Sequence, residues 1–331
     1  VDFDEADEAL KMDQLDSLLA PMATRIKTDL ELDFGEFCLK NTALLSGAVG
    51  TGVTTWDHVA GAGAIMQASG VPMDQDWCYF ANPFTQRSLA SNQRSLGGET
   101  GSMSANQRAV ITDNFAGMKV MTATTLPSYT TGVGADRAGT LSGTPTATYL
   151  AAKDTMTMSI AVTAFQANLV VAAGETITVT GRNRLNLSTR KPIVDETGAQ
   201  ILFSGTVTAA VTLNGSGAGT LVITGPGVYE AAGAFNTVDS ALTSGDVVTL
   251  GGAASTLIQP NLFWHKQAFG IGSVPIKKLY STDTIATTED GLQFRVSKYA
   301  NGDANKQIVR FDFRPAYAVL NPFFAGKSFG G

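Results

Sequence analysis

The sequence predicts an α+β fold in which a long helix and a mixed lobe are interrupted by an all-β module. Three observations lead there. An apolar stripe at helical spacing runs from Leu18 to Phe37. Residues 55–129 and 256–331 resemble each other in composition, and neither looks complete alone. Between them, from about Thr130 to Ser255, charges thin out and short Thr/Val/Ala/Gly alternations dominate. At 331 residues the chain exceeds what one hydrophobic core usually serves, so one lobe carrying a large insertion is expected. The expected segments are 1–54, an acidic lead-in with the long helix; 55–129, the first part of an α/β lobe; 130–255, a β-barrel insertion; and 256–331, the return strands.

The helix comes first. Leu18, Met22, Ile26, Leu30, Phe34 and Phe37 recur at steps of four, four, four, four and three, which places them on one face as the candidate core of that helix. From about Leu15 to Leu45 it would be roughly 45 Å long. Gly47, Gly50 and Gly52 are expected to end it, and Pro21 either sits in its first turn or kinks it. In the lobe, Trp56–Ala68 is a short helix stopped by Ser69-Gly70-Val71-Pro72, and Trp77–Phe80 a buried strand ended by Asn82-Pro83. Phe84–Gln93 is a further helix, Gly97–Ser102 a mobile loop, and Lys119–Thr124 a strand.

The insert reads as strands at Thr157–Val162, Thr176–Thr180, Thr206–Leu213, Gly219–Thr224 and Asp246–Leu250. Turn signals at Ala173-Gly174, Glu196-Thr197-Gly198, Asn214-Gly215 and Ser244-Gly245 separate them. Short strands at this spacing mean a barrel or sandwich. After it, Leu292–Tyr299 and Gln307–Phe313 flank Ala300-Asn301-Gly302-Asp303 as a long hairpin, and Ala316–Leu320 follows Pro315.

Composition excludes several classes. The 44% hydrophobic content is too high for a disordered chain. Cys38 and Cys78 allow one pair at most, so no disulfide framework is expected. No apolar run approaches the length of a membrane-spanning helix. The opening VDFDEADEAL is acidic, unlike a secretory signal, and the missing initiator methionine suggests a cut or processed chain. A net charge of −6 argues against tight nucleic-acid binding. The charge is uneven: residues 1–40 hold eleven acids and four bases, expected to be a solvated lead-in or a contact for a basic neighbouring surface.

A search for chemistry finds no catalytic constellation. His58 and His265 are the only histidines, too few for a His-rich metal site; His58 is expected at a surface or cap and His265 at a strand end. Gly326-Lys327-Ser328 ends like a phosphate loop, but Asn321 stands where its first glycine belongs. The same residues fit Gly-x-Ser-x-Gly without the strand and helix a nucleophile elbow needs, so a flexible tail is expected. Paired acids at Asp74/Asp76, Asp195-Glu196 and Glu289-Asp290 lie in turn-like contexts. Arg182, Arg184, Arg190 and Lys191 form the one basic concentration in the insert, either solvated loop charges or contacts to an acidic neighbouring subunit. No metal or cofactor is expected.

Several segments together resemble the major capsid proteins of tailed bacteriophages with the Hong Kong 97-like (Johnson) fold. Within it, the likeness is to the coat proteins of Salmonella short-tailed phages, which carry an inserted β-barrel. Leu18-Leu19-Ala20-Pro21-Met22-Ala23, continuing through Arg25-Ile26-Lys27-Thr28-Asp29-Leu30, resembles the start of the family's spine helix. Trp77-Cys78-Tyr79-Phe80-Ala81-Asn82-Pro83 is similar to its strand and Asn-Pro step, and Phe115-Ala116-Gly117-Met118-Lys119-Val120 to the lead into the insertion. Gly174-Glu175-Thr176-Ile177-Thr178-Val179 resembles a core strand of the inserted barrel; Asn261-Leu262-Phe263-Trp264 and Val274-Pro275-Ile276 resemble the return.

The resemblance implies a virion capsid subunit, made in the bacterial cytoplasm, without catalysis or cofactor. It would assemble with itself as pentamers and hexamers in a closed shell, with a scaffolding protein, a portal and non-specific proximity to packaged double-stranded DNA, and no membrane. On that reading, 1–54 belongs to a peripheral domain and 55–129 to an axial one. The family's loop across two-fold axes is matched by Thr144–Asp154, whose charges Lys153 and Asp154 join the basic cluster as candidate inter-subunit contacts. The arm and extended loop that precede the family's spine helix are expected either to have been removed or not to be part of this chain. Two other classes stay open: a bacterial surface-layer or adhesin-type protein with a Thr/Val-rich β module, and an α/β enzyme.

Overall fold

The computed structural model describes residues 2–4, 15–74, 76–96, 115–288, 291–303 and 306–331. The expected loop at Gly97–Ser102, the Glu289-Asp290 pair, most of the acidic lead-in and the side chains of Leu18 and Met22 lie outside what is described.

Strand β1 (Asp2–Asp4) precedes helix α1 (Leu15–Lys40), which holds Pro21 past its first turn. The helix ends before the glycines expected to stop it. Asn41 closes its last turn, with Nδ2 donating to Phe37 O at 2.8 Å and its backbone N–H to Cys38 O at 3.0 Å. Leu44–Ser46 is already strand β2. Helix α2 (Trp56–Ala68) begins where expected, and His58 Nδ1 accepts the Thr54 N–H at 3.3 Å to cap its entry. Strand β3 (Trp77–Ala81) leads into α3 (Pro83–Leu96). There Asn82 Oδ1 accepts the Thr85 N–H at 2.6 Å, while Pro83 occupies a first-turn position that needs no donor. Strand β4 (Met118–Thr122) follows.

The insert contains β5 (Tyr129–Thr130), β6 (Ala138–Leu141), the short helix α4 (Tyr149–Ala152), β7 (Thr157–Thr163), β8 (Val170–Val171) and β9 (Thr176–Asn183). It continues with β10 (Leu202–Val207), β11 (Val211–Thr212), β12 (Gly219–Thr224), β13 (Val247–Leu250) and β14 (Leu257–Ile258). The strand expected over Thr206–Leu213 is in fact two, β10 and β11, which pair with different partners. The remaining strands are β15 (Asn261–His265), β16 (Phe269–Ser273), β17 (Thr284–Thr287), β18 (Gln293–Asn301), β19 (Lys306–Phe313) and β20 (Pro315–Val319). A 3-10 turn at Pro322–Phe324 then leads into β21 (Ala325–Ser328).

The fold is mixed α+β, and the chain forms two compact units, 1–34 with 270–318 and 35–269 with 319–331. The first contains an antiparallel sheet in the order β1-β19-β18-β17. The expected hairpin is its centre, with Phe294 stacked on Phe313 at 4.6 Å and buried Arg295 paired to Asp312. The second unit contains both a closed six-stranded barrel, β10-β12-β7-β6-β13-β9, and a five-stranded sheet, β2-β21-β15-β3-β4. The barrel segment therefore shares a unit with the sheet segments around it.

Alternation fills the barrel. Along β7, Met158, Ile160 and Val162 point in and Ser159 and Ala161 out; Ile177, Val179, Phe203, Leu221 and Val248 complete the same core. The sheet has a separate core of Trp56, Val59, Met66, Trp77, Tyr79, Met118 and Phe263. The helix stripe behaves otherwise than expected: Ile26, Leu30, Phe34 and Phe37 are only half-buried, and the fully buried side chains of α1 are Cys38 and Leu39. Phe37 starts an aromatic series through Phe269 and Trp264 to Phe80, with centroid separations of 6.2, 5.7 and 4.3 Å.

The largest correction concerns residues 326–330. They are not a flexible tail: β21 lies inside the sheet, parallel to β2 and antiparallel to β15, and all four of its residues are buried. Gly326 is required there, because a methyl group in its place would overlap the Phe263 ring and the Leu44 side chain.

Candidate functional site

Where the barrel meets the sheet, the interior is polar. Lys327 projects from β21 into this joint and is fully buried. Its Nζ donates to Gly174 O at 2.6 Å and Thr206 Oγ1 at 3.2 Å, and lies 5.6 Å from the centre of the Tyr129 ring. Burial lowers its pKa to about 7, against a smaller upward pull from Glu175. Glu175 is itself buried and satisfied: it pairs with Arg137, accepts the Gly132 N–H at 2.6 Å and accepts the Ala172 N–H at 3.0 Å.

A second cation crosses the joint. Arg184 Nη2 donates to Ala43 O at 2.8 Å and to Ser204 O at 2.7 Å, with its guanidinium beside the Phe203 and Phe323 rings. Ser204 Oγ donates to the same Ala43 O at 3.0 Å, and Thr42 and Thr206 hydroxyls bond at 3.3 Å. Burial lowers the Arg184 pKa to about 10. Gly225, at φ +83°, brings the barrel backbone against Ala43; a methyl group there would stand 2.5 Å from Ala43 Cβ.

The candidate contact residues therefore separate. Arg184 is only 3% exposed and bonded internally, so it is corrected from a candidate subunit contact to a structural residue. Arg182 lies in strand β9 and makes a bidentate pair with Asp246, at 2.7 and 2.6 Å, plus bonds to Ser240 and Thr243. Burial pushes the Asp246 carboxyl up, but those bonds outweigh it and hold the pKa below the ordinary value. Arg190 is half-buried and donates to Asn236 O at 2.7 Å. Lys191, Lys153 and Asp154 are exposed. The structure brings none of these into one cluster with Arg184.

The remaining candidates have ordinary roles. His265 ends β15 fully buried, with Nε2 at 2.8 Å from Asp74 Oδ1 and Nδ1 accepting the Gln267 N–H at 3.1 Å. That bond is the main cause of the lowered Asp74 pKa. Asp195 organises a turn through Thr197 and Ala199. Both cysteines are free. Among the described residues no three His, Cys, Asp or Glu side chains are grouped to hold a metal ion.

Sequence reasoning missed the joint. Glu175 stands isolated in a charge-poor stretch, and an isolated charge among apolar and small residues is a mark of a buried pair. Lys327 sits in Phe323-Phe324-Ala325-Gly326-Lys327-Ser328-Phe329, a strand-length apolar context that outweighs its phosphate-loop look.

A molecule whose buried cations, Lys327 and Arg184, are spent on internal structure has the chemistry of a scaffold. Comparison with known proteins agrees. The family model described as "P22 coat protein - gene protein 5" matches residues 1–331. The major capsid protein of Acyrthosiphon pisum secondary endosymbiont phage 1 is 32% identical over 334 residues, covering all of this chain and 78% of the relative's length. The surface-layer and enzyme readings are thereby set aside. The chain belongs to the P22 coat protein family, as a structural, non-enzymatic protein of the virion that self-associates into the phage capsid.

Proposed function

We propose that this coat protein is built on the Hong Kong 97-like plan, most similar to the coat proteins of Salmonella short-tailed phages, with residues 130–255 as an inserted barrel domain. One observation supports this best. Strands β4 and β15, which precede and follow the barrel in sequence, both pair with β3, so the barrel interrupts a single sheet. An insertion between neighbouring strands leaves the host sheet intact while adding a module with its own core.

On this reading the subunits close into pentamers and hexamers through heterologous edges. Arg190, Lys191, Lys153 and Asp154 are the charged edge contacts; a scaffolding protein and a portal act during assembly, and the packaged double-stranded DNA meets a wall that does not hold it tightly. Electron microscopy of particles assembled from the full chain tests it. Closed icosahedral shells are expected, with pentamers and hexamers and a distinct barrel density on each subunit. Open sheets, fibres, or subunits lacking the spine helix and peripheral sheet of the Hong Kong 97-like plan would overturn it.

A further inference from the structure

An open cleft of about 310 Å³ lies beside the barrel, bounded by Tyr149, Met156, Arg190, Phe235, Phe323 and Phe324. Tyr149 stacks on Phe235 with centroids 4.2 Å apart. The stack does not shelter the wall: Phe235 remains 49% exposed, and Leu150, next to Tyr149 on α4, is 73% exposed. Among the described residues, Arg190 is the one charged side chain lining the cleft. It bonds Asn236 O and has no ion pair with any described carboxylate. Met156 and Arg190 hold left-handed backbone, at φ 50° and 56°, and such strain is retained where surrounding structure demands a particular shape.

Tyr, Phe, Met and Arg together are the composition of the buried centre of a protein–protein interface, and contiguous exposed apolar surface marks such a site. The chain self-associates, so the partner most abundant at this surface is another copy of itself. Charge agrees with that occupant. An unpaired guanidinium wants a carboxylate, and the chain carries net −6 with eleven acids in residues 1–40. There Leu32 is 42% exposed between Glu31 and Asp33, an apolar side chain flanked by acids.

We propose that this cleft is an inter-subunit socket, filled in the shell by an acidic, apolar-bearing element of a second copy of the chain. The inference rests on the shell reading above and names a partner for Arg190 within it. Thiol labelling of Leu150→Cys and Phe235→Cys tests it, in free subunits and in assembled shells, with the unmodified chain as baseline for Cys38 and Cys78. Labelling at both positions is expected to slow at least tenfold on assembly. A photo-crosslinker at position 150, in shells mixed from isotopically light and heavy subunits, is expected to join a light chain to a heavy one. Phe235→Glu should melt as the unmodified chain does and lower shell yield at least tenfold.

Shells in which both cysteines label as fast as in free subunits would overturn the socket and leave the shell reading standing. Crosslinks only within one chain, or only to a different protein, would overturn the second copy as occupant. Failure of the unmodified chain to form shells would count against the shell reading itself.

Discussion

The barrel and the five-stranded sheet belong to one compact unit, yet they are made in opposite ways. The barrel takes its six strands from one stretch, 138–250, whereas the sheet gathers strands from residues 44–46, 77–81, 118–122, 261–265 and 325–328. The barrel's core is mostly aliphatic, with Phe165 and Phe203 among its Val, Ile and Leu, and alternates at period two. The sheet's core rests on Trp, Tyr, Phe and Met, and one of its interior strands, β21, carries a buried lysine. A module with local contacts can satisfy itself; a sheet with scattered strands depends on each distant piece reaching its place.

The sharpest way to break this contrast is Gly326→Val. The added side chain must displace Phe263 and Leu44 in the middle of the sheet, which should cost about 3 kcal/mol or more and abolish particle yield. Residues 130–255 expressed alone should still give a β-type circular dichroism spectrum and one cooperative melt. A helical or unfolded spectrum from that segment would show that the barrel also depends on distant residues.

Arg184→Ala probes the joint between the two. It leaves Ala43 O and Ser204 O buried with fewer donors, and a loss of about 3 kcal/mol in chemical denaturation of the full chain is expected. A loss under about 0.5 kcal/mol, the size typical of a surface substitution, would mean that the joint relaxes or admits water.

Lys327 sets a pH dependence. Its native pKa is about 7 against 10.5 for an ordinary lysine, so between those values the unfolded chain holds a proton that the native chain has released. Stability should therefore rise with pH across that window, and the penalty should be fully present below about pH 7. The slope for the unmodified chain should exceed that of Lys327→Met by up to one proton, on the order of 1 kcal/mol per pH unit. Equal slopes would mean that the ammonium stays charged, held by Gly174 O and Thr206 Oγ1.

The smallest effect is expected at the rim. Lys153→Ala with Lys191→Ala should leave the melting temperature within a degree or two while making shell assembly more sensitive to salt. Wild-type yield at both low and high salt would show that these charges are merely solvated.

How legible each region was follows from the same contrast. β7 and β12 could be read almost to the residue, because alternation and the flanking turns are local signals. Trp56–Ala68 was likewise visible, its stop marked by Ser69-Gly70. β21 was not. Its burial comes from β2 and β15, far away in the chain, and a four-residue strand containing Gly and Lys has no period to detect. α1 was overrun for a related reason: Leu44 and Leu45 continue its apolar content, but their backbone bonds go to β21. Of the candidate contacts, exposure separated Lys153 and Lys191 from Arg184, and exposure is a tertiary property that an arginine's neighbours in sequence do not reveal.

Because β21 lies between β2 and β15, the sheet cannot be completed in the order in which a ribosome delivers it. Barrel strands emerge consecutively and can pair as they appear. The segment from residue 250 to 325 then takes roughly 4–15 s to synthesise. Until β21 is made, the edge of Leu44–Ser46, joined by that of Asn261–His265 once it is synthesised, lacks the strand that will occupy it. They can pair with each other, or with the same edges of nearby nascent chains, since open strand edges are templates for association. The yield of competent subunits is then decided by a race whose outcome depends on temperature and local chain concentration. A coat subunit that is robust once folded can thus still be fragile at birth.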